Sequence, residues 1–259
     1  MNKSKMPVIF TGHGSPMIAL EHNDITEEMA KVGQFILHNH GRPKAILAIS
    51  GHWYTNGSFV QSEETPRQIY DMYGFPDELY EVKYPVNGDI ELTKEVERIL
   101  GDVVSVNNDW GIDHGSWTVL VHMFPSADIP VVQLSVNAKL DTRESYELGR
   151  KLALLREEGY LILGSGNVVH NLRRAEWDND GGSKMTIRFN KQITDAIIQK
   201  DIDTVINYKA LSDASYAVPT PDHFLPLLYC LGAAGNYDVE VFNNVCNLGS
   251  IAMTGYIFS

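Results

Sequence analysis

Five of the nine histidines stand where chemistry could use them. His13 closes an apolar run in "VIFTGHGSP" and His52 closes another in "AISGHWY". His114 lies in "WGIDHGSW", His170 in "GSGNVVHN" and His223 in "PTPDHFLP". Imidazole is the commonest protein ligand for zinc, iron and copper, and it must be neutral to bind. Three such ligands with open positions make a catalytic centre, whereas four closed ones make a structural one. A lone histidine at a strand end is more often a hydrogen-bonded structural residue, so it is the repetition that points to a metal. Two histidines with a carboxylate favour non-haem iron, while an all-histidine set suits zinc at least as well. Asp113 and Asp222 each adjoin one of these histidines. Adjacent side chains usually point apart, so both are expected behind the ligands as supporting groups. His22, His38 and His40 lie in polar stretches expected at the surface, and His122 inside "SWTVLVHMF" is expected in the core or supporting a ligand.

The elements that must position these residues alternate between strand and helix. Strands are expected at 7–12, 44–53, 58–62, 103–108, 130–136, 160–167, 239–244 and 250–259. Helices are expected at 23–41, 89–100, 142–159, 185–201 and 224–235. Asn23 or Asp24 is the expected cap of the first helix. The alternation predicts an α/β fold, a single domain over residues 1–259 whose central sheet, mostly parallel or mixed, is flanked by helices. In such sheets ligands bind in the crevice beyond the strand ends, so the metal site is expected there. The stretch 67–88 reads as a long aromatic loop punctuated by proline, and loops of this kind often form site walls.

Composition narrows the classes. The 259 residues are 44% hydrophobic and 21% charged, which suits one globular domain with a core of its own. The net charge of −12 argues against a nucleic-acid partner. No run approaches the ~18 apolar residues of a membrane span, and the opening "MNKSKMPVIFTGHG" has no signal-like apolar segment. Cys230 and Cys246 form no CxxC pair and read as reduced residues of a cytoplasmic protein. There is no HExxH, P-loop or G-x-S-x-G pattern, and "GSGNVV" departs from the dinucleotide fingerprint at His170. Nothing marks an oligomer interface.

"TGHGSP", "SGHW", "DHGSW", "GSGNVVHN" and "PTPDHFLPL", in this order, resemble the class III extradiol aromatic-ring-opening dioxygenases. The resemblance is greatest to the branch similar to DOPA 4,5-dioxygenase, and it runs from about residue 7 to the C-terminus. It implies one non-haem divalent metal held by His13, His52 and His223. It also implies His170 as acid/base histidine or as a fourth ligand, and His114 as a second active-site histidine. The wider class has a glutamate where this sequence has His223, which leaves both Fe(II), expected for dioxygenation, and Zn(II) open. The implied reaction opens a small catechol such as DOPA with O2 to a muconate semialdehyde. Ser15, Trp53, Trp117 and Asn167 are expected to touch substrate, together with Ser165 and the loop aromatics Tyr70, Tyr73, Phe75 and Tyr80. Two alternatives are a zinc-dependent hydrolase on the same scaffold and a metal-binding relative without catalysis.

Overall fold

The structure, a computed structural model, describes residues 5–259. The first four residues, part of the opening segment read above as lacking a signal, lie outside it. Ten strands are present: β1 (Val8–Gly12), β2 (Ile46–Thr55), β3 (Ser58–Val60), β4 (Val104–Val106), β5 (Val131–Asn137), β6 (Leu161–Gly166), β7 (Val239–Phe242), β8 (Cys246–Asn247), β9 (Ile251–Ala252) and β10 (Gly255–Phe258). Eight form one sheet in the order β4-β3-β5-β2-β6-β1-β10-β7, and β8 pairs with β9. The four central strands β5, β2, β6 and β1 are parallel, while β3 and β10 run against their central neighbours. The sheet is therefore mixed.

The helices are α1 (Asp24–Asn39), α2 (Asp77–Glu81), α3 (Ile90–Leu100), α4 (His114–Met123), α5 (Thr142–Leu152), α6 (Leu154–Glu157), α7 (Lys184–Ile198), α8 (Ile202–Ile206), α9 (Ala214–Ala217) and α10 (Leu225–Ala234). Strand periodicity divides the core in two. On β2, Leu47 and Ile49 face a cluster holding Leu148 of α5, Phe189 of α7 and Leu228 of α10. Ile46 and Ala48 face a second cluster with Met29 of α1 and Trp117 of α4. Covered on both faces, the central strands are buried over most of their length. Helix α10 is buried on every side, which matches its lack of a polar face.

Several boundaries differ from expectation. The helix expected over 142–159 breaks at Ala153. Just beyond the break the buried Arg156 guanidinium donates to the carbonyls of Met6 at 2.7 Å, Ala233 at 3.1 Å and Phe258 at 3.3 Å. The strand expected over 250–259 is split into β9 and β10. Asn23, not Asp24, caps α1, sharing a reciprocal pair of bonds with Thr26. The aromatic stretch 67–88 contains the short helix α2.

Candidate metal centre

The central strands all end on the same edge, and the five histidines gather there. His13 follows β1 directly. His52 lies within β2, where the pairing with β5 jumps from Ser50↔Ser135 to Tyr54↔Val136. Residues 51–53 are thus bulged out of the ladder, which delivers His52 to the crevice. Gly51 allows this, because a Cβ there would sit 2.9 Å from the Asp222 carbonyl oxygen. Gly14 turns the chain away after His13 at φ +60°, a conformation that favours glycine. His114 is the first residue of α4 rather than part of a loop, and His223 lies in the turn just before α10.

Two of the supporting contacts fix a tautomer. Ser165 Oγ donates its single proton to the Gly115 carbonyl, so it accepts from His13 Nδ1–H at 2.9 Å. His223 Nδ1–H donates to the Asp222 carboxylate. His52 Nδ1 lies 3.4 Å from Asp71 Oδ2. His13 and His223 therefore keep an unprotonated Nε2, and the carboxylate behind His52 favours the same tautomer there. These nitrogens converge: His52 Nε2 is 3.1 Å from His13 Nε2 and 3.3 Å from His223 Nε2. Lone pairs turned on one another repel unless a cation sits among them. Tetrahedral metal–nitrogen bonds of 2.0–2.1 Å place ligand nitrogens about 3.3–3.4 Å apart, close to what is found here. The donor set fits a divalent metal.

The other two histidines flank this trio. Ligand atoms of His13, His52 and His114 lie within 4.8 Å of one another, as do those of His170, Asp222 and His223. The short His52–His223 separation joins the two groups. The His170 ring stacks on His223 with centroids 3.7 Å apart and planes within 8°. His114 Nδ1 is 3.0 Å from Asp71 Oδ1, off the hydrogen-bond direction, while the His114 main-chain N–H donates to that oxygen at 2.9 Å.

The environment favours the neutral form of His13, His52 and His170. Burial first, then the crowding of His223, His114 and His170, holds His13 well below the ordinary histidine range. Burial and the same crowding act on His52. Burial, then His223, brings His170 down to about 3. Burial works to raise the Asp222 carboxyl, but the His223 hydrogen bond and charge, with help from Thr220, hold it at about 2. Asp113 supports from beneath, as expected: it caps α4 through Ser116 N at 3.1 Å and accepts from Gln133 Nε2 at 2.7 Å. His122, half-buried, contacts the Ile18 carbonyl at 2.8 Å.

A cavity of about 490 Å³ opens over the five histidines, within the range of small-molecule sites. Of the residues expected at substrate, Ser15, Tyr73 and Phe75 line it. Trp53, Trp117 and Asn167 do not. Trp53 is 4% exposed in the core. Trp117 Nε1 donates to the Ile69 carbonyl at 3.0 Å, and Asn167 Nδ2 donates to the Ala252 carbonyl at 2.8 Å. Tyr70 and Tyr80 also lie off the cavity, with the Tyr70 hydroxyl donating to Val82 O at 2.7 Å. Ser165 sits beneath His13. Sequence reasoning missed Asp71, although it lies inside the loop singled out for its aromatics. It also missed Leu172 and Trp177, both of which line the cavity from a polar stretch with no periodic signal.

Residues 7–259 match the family described as the catalytic LigB subunit of aromatic ring-opening dioxygenase. The chain belongs to this family. It is 39% identical to a 4,5-DOPA dioxygenase extradiol of Escherichia coli K12, over 98% of this chain and 94% of that protein. It is 36% identical to a protein of the same description from Beta vulgaris, over 96% of this chain and 95% of that one. A crystal structure of an uncharacterised Escherichia coli K12 protein superposes with a TM-score of 0.84 at 35% identity, covering 98% of this chain and all of that one. Family membership makes this chain a ring-opening enzyme that incorporates oxygen, and the LigB family depends on a non-haem metal. Among the described residues no helix is long and apolar enough to cross a membrane.

Proposed function

We propose that this enzyme is an extradiol dioxygenase that opens a small catechol with O2 to a muconate semialdehyde, using Fe(II) held by His13, His52 and His223. The convergence of three Nε2 atoms at 3.1 and 3.3 Å is the observation that carries the reading. Bound there, Fe(II) would supply a redox change, a charge that acidifies the diol, and open positions for both reactants.

The chain's own residues supply the rest. His170 and His223 stack face to face at 3.7 Å with planes within 8°, whereas the rings of His13, His52 and His223 meet one another at 47–84°. With His223 as ligand, His170 is left as the base that takes a catechol proton. His114, 5% exposed at the start of α4, is the second proton-handling group. Ser165, Asp71 and Asp222 hold the three ligand rings in the tautomer that binding needs. The cytoplasm is the compartment that agrees with two unpaired cysteines.

The all-histidine donor set supports a second reading, a zinc hydrolase, since zinc accepts three imidazoles readily but has no redox change to offer. Labelled O2 separates the two. The dioxygenase delivers both oxygen atoms of O2 into one ring-opened product, seen by mass spectrometry. Label absent from every product would overturn this proposal in favour of hydrolysis.

A further inference from the structure

Apart from the imidazoles, the cavity wall is almost wholly apolar. Met72, Phe75, Leu172, Trp177, Leu248 and Ile251 make most of it, and the other polar side chains are the hydroxyls of Ser15 and Tyr73. Among the described residues no lysine, arginine, aspartate or glutamate lines it. Asp71 is turned toward His52 and His114, and Asp222 toward His223. Arg173 lines an adjoining cleft with Asn171, Thr220 and Asp222, which shares His170 and Leu172 with the cavity.

The space is also larger than the reacting ring requires. Volumes of this size hold drug-sized ligands, whereas a bare catechol has only eight heavy atoms. Two wall residues, Leu172 at 57% exposure and Trp177 at 72%, leave apolar surface open to water. An apolar substituent would cover that surface, since removing such area from water is favourable. A carboxylate or ammonium placed on the same wall would give up part of its hydration to apolar surface and gain no ionic partner.

Resting on the dioxygenase reading above, we infer that the catechol taken by this site carries an uncharged, apolar substituent packed against Leu172, Trp177, Leu248 and Ile251. The metal end of the site selects the diol, and this wall selects what the ring bears.

The test uses catechols whose side chains match in length and differ in charge: propyl, 2-carboxyethyl and 2-aminoethyl at the 4-position, with DOPA, methylcatechol and ethylcatechol beside them. Turnover is followed on iron-loaded enzyme as kcat/KM. Binding is followed by calorimetry on zinc-loaded protein, which reads the wall independently of ring opening. The expected result is a gain of about fourfold per added methylene, equivalent to about 0.8 kcal/mol, in both measurements. The charged side chains are expected to fall tenfold or more below propyl. Leu172→Arg, checked for an unchanged thermal transition, is expected to shift the preference toward the 2-carboxyethyl compound by a further tenfold.

A preference for DOPA or another charged catechol, abolished by Arg173→Ala, would overturn the inference and assign selection to the adjoining cleft. Equal binding across the series would overturn it as well. Absence of ring opening with every catechol, while zinc-loaded protein still binds propylcatechol best, would sink the dioxygenase reading and leave the apolar wall standing.

Discussion

The two halves of the cavity are built on opposite plans. The ligand half hangs on strand ends and helix starts, and each ring nitrogen turned away from the centre faces Ser165, Asp71 or Asp222. The wall half, Ile251 of β9 apart, consists of side chains outside the strands and α-helices. Tyr73 is 92% exposed there and Trp177 is 72% exposed, against 1% for His13. Rigidity is concentrated where geometry decides the chemistry, and latitude is left where only the substituent is chosen. Asp71 is where the plans meet: it belongs to the wall loop, yet its carboxylate serves two histidines from separate elements.

The contrast predicts a descending scale of effects. His52→Ala removes the nitrogen shared by both short separations, so metal content should fall to background and turnover with it, as elemental analysis and oxygen uptake would report. Retained metal with normal turnover would break the assignment of the ligand half. His170→Ala and His114→Ala should instead leave metal content near normal. A lost proton-transfer group corresponds to a drop in kcat of about 10²–10⁴-fold. If His170→Ala also emptied the site, it would be a ligand and not the base.

Asp71→Asn probes the meeting point. The amide keeps the shape and forfeits the charge behind His52 and His114, and groups behind metal ligands are worth about 10–100-fold in metal affinity or activity. Metal titration and kcat should both register the change, and indifference of both would detach the wall loop from the centre. The smallest effect belongs to Trp177→Ala. So exposed a side chain contributes within about 0.5 kcal/mol to stability. The midpoint of unfolding should hardly move, while KM for an alkylcatechol rises several-fold at unchanged metal content.

The same contrast explains what could be read from the residues alone. His13 and His52 announce themselves because glycine–histidine closes an apolar run twice, and the alternating strands and helices fix which edge they share. The order of elements and the mixed sheet followed from that alternation. The bulge at 51–53 was hidden, since it arises from pairing with β5 and not from local propensity. It also explains Trp53, which the sequence places beside His52 but the fold sends into the core. Trp117 and Asn167 were misjudged for a related reason: proximity to a site histidine in sequence does not decide which way a side chain faces. Asp71 carries no local signal, because its partners lie 19 and 43 positions away in the chain. Leu172 and Trp177 became part of the wall only through the path of the chain after His170.

The central claim is that the histidine centre runs oxygen chemistry, and reconstitution tests it most directly. Protein stripped of metal, reloaded under anaerobic conditions with either Fe(II) or Zn(II), would be given a catechol and then oxygen. Oxygen consumption with iron alone, one O2 per ring opened and a yellow ring-opened product, is the result this account predicts. Equal inactivity with iron and zinc across the catechol series would contradict it.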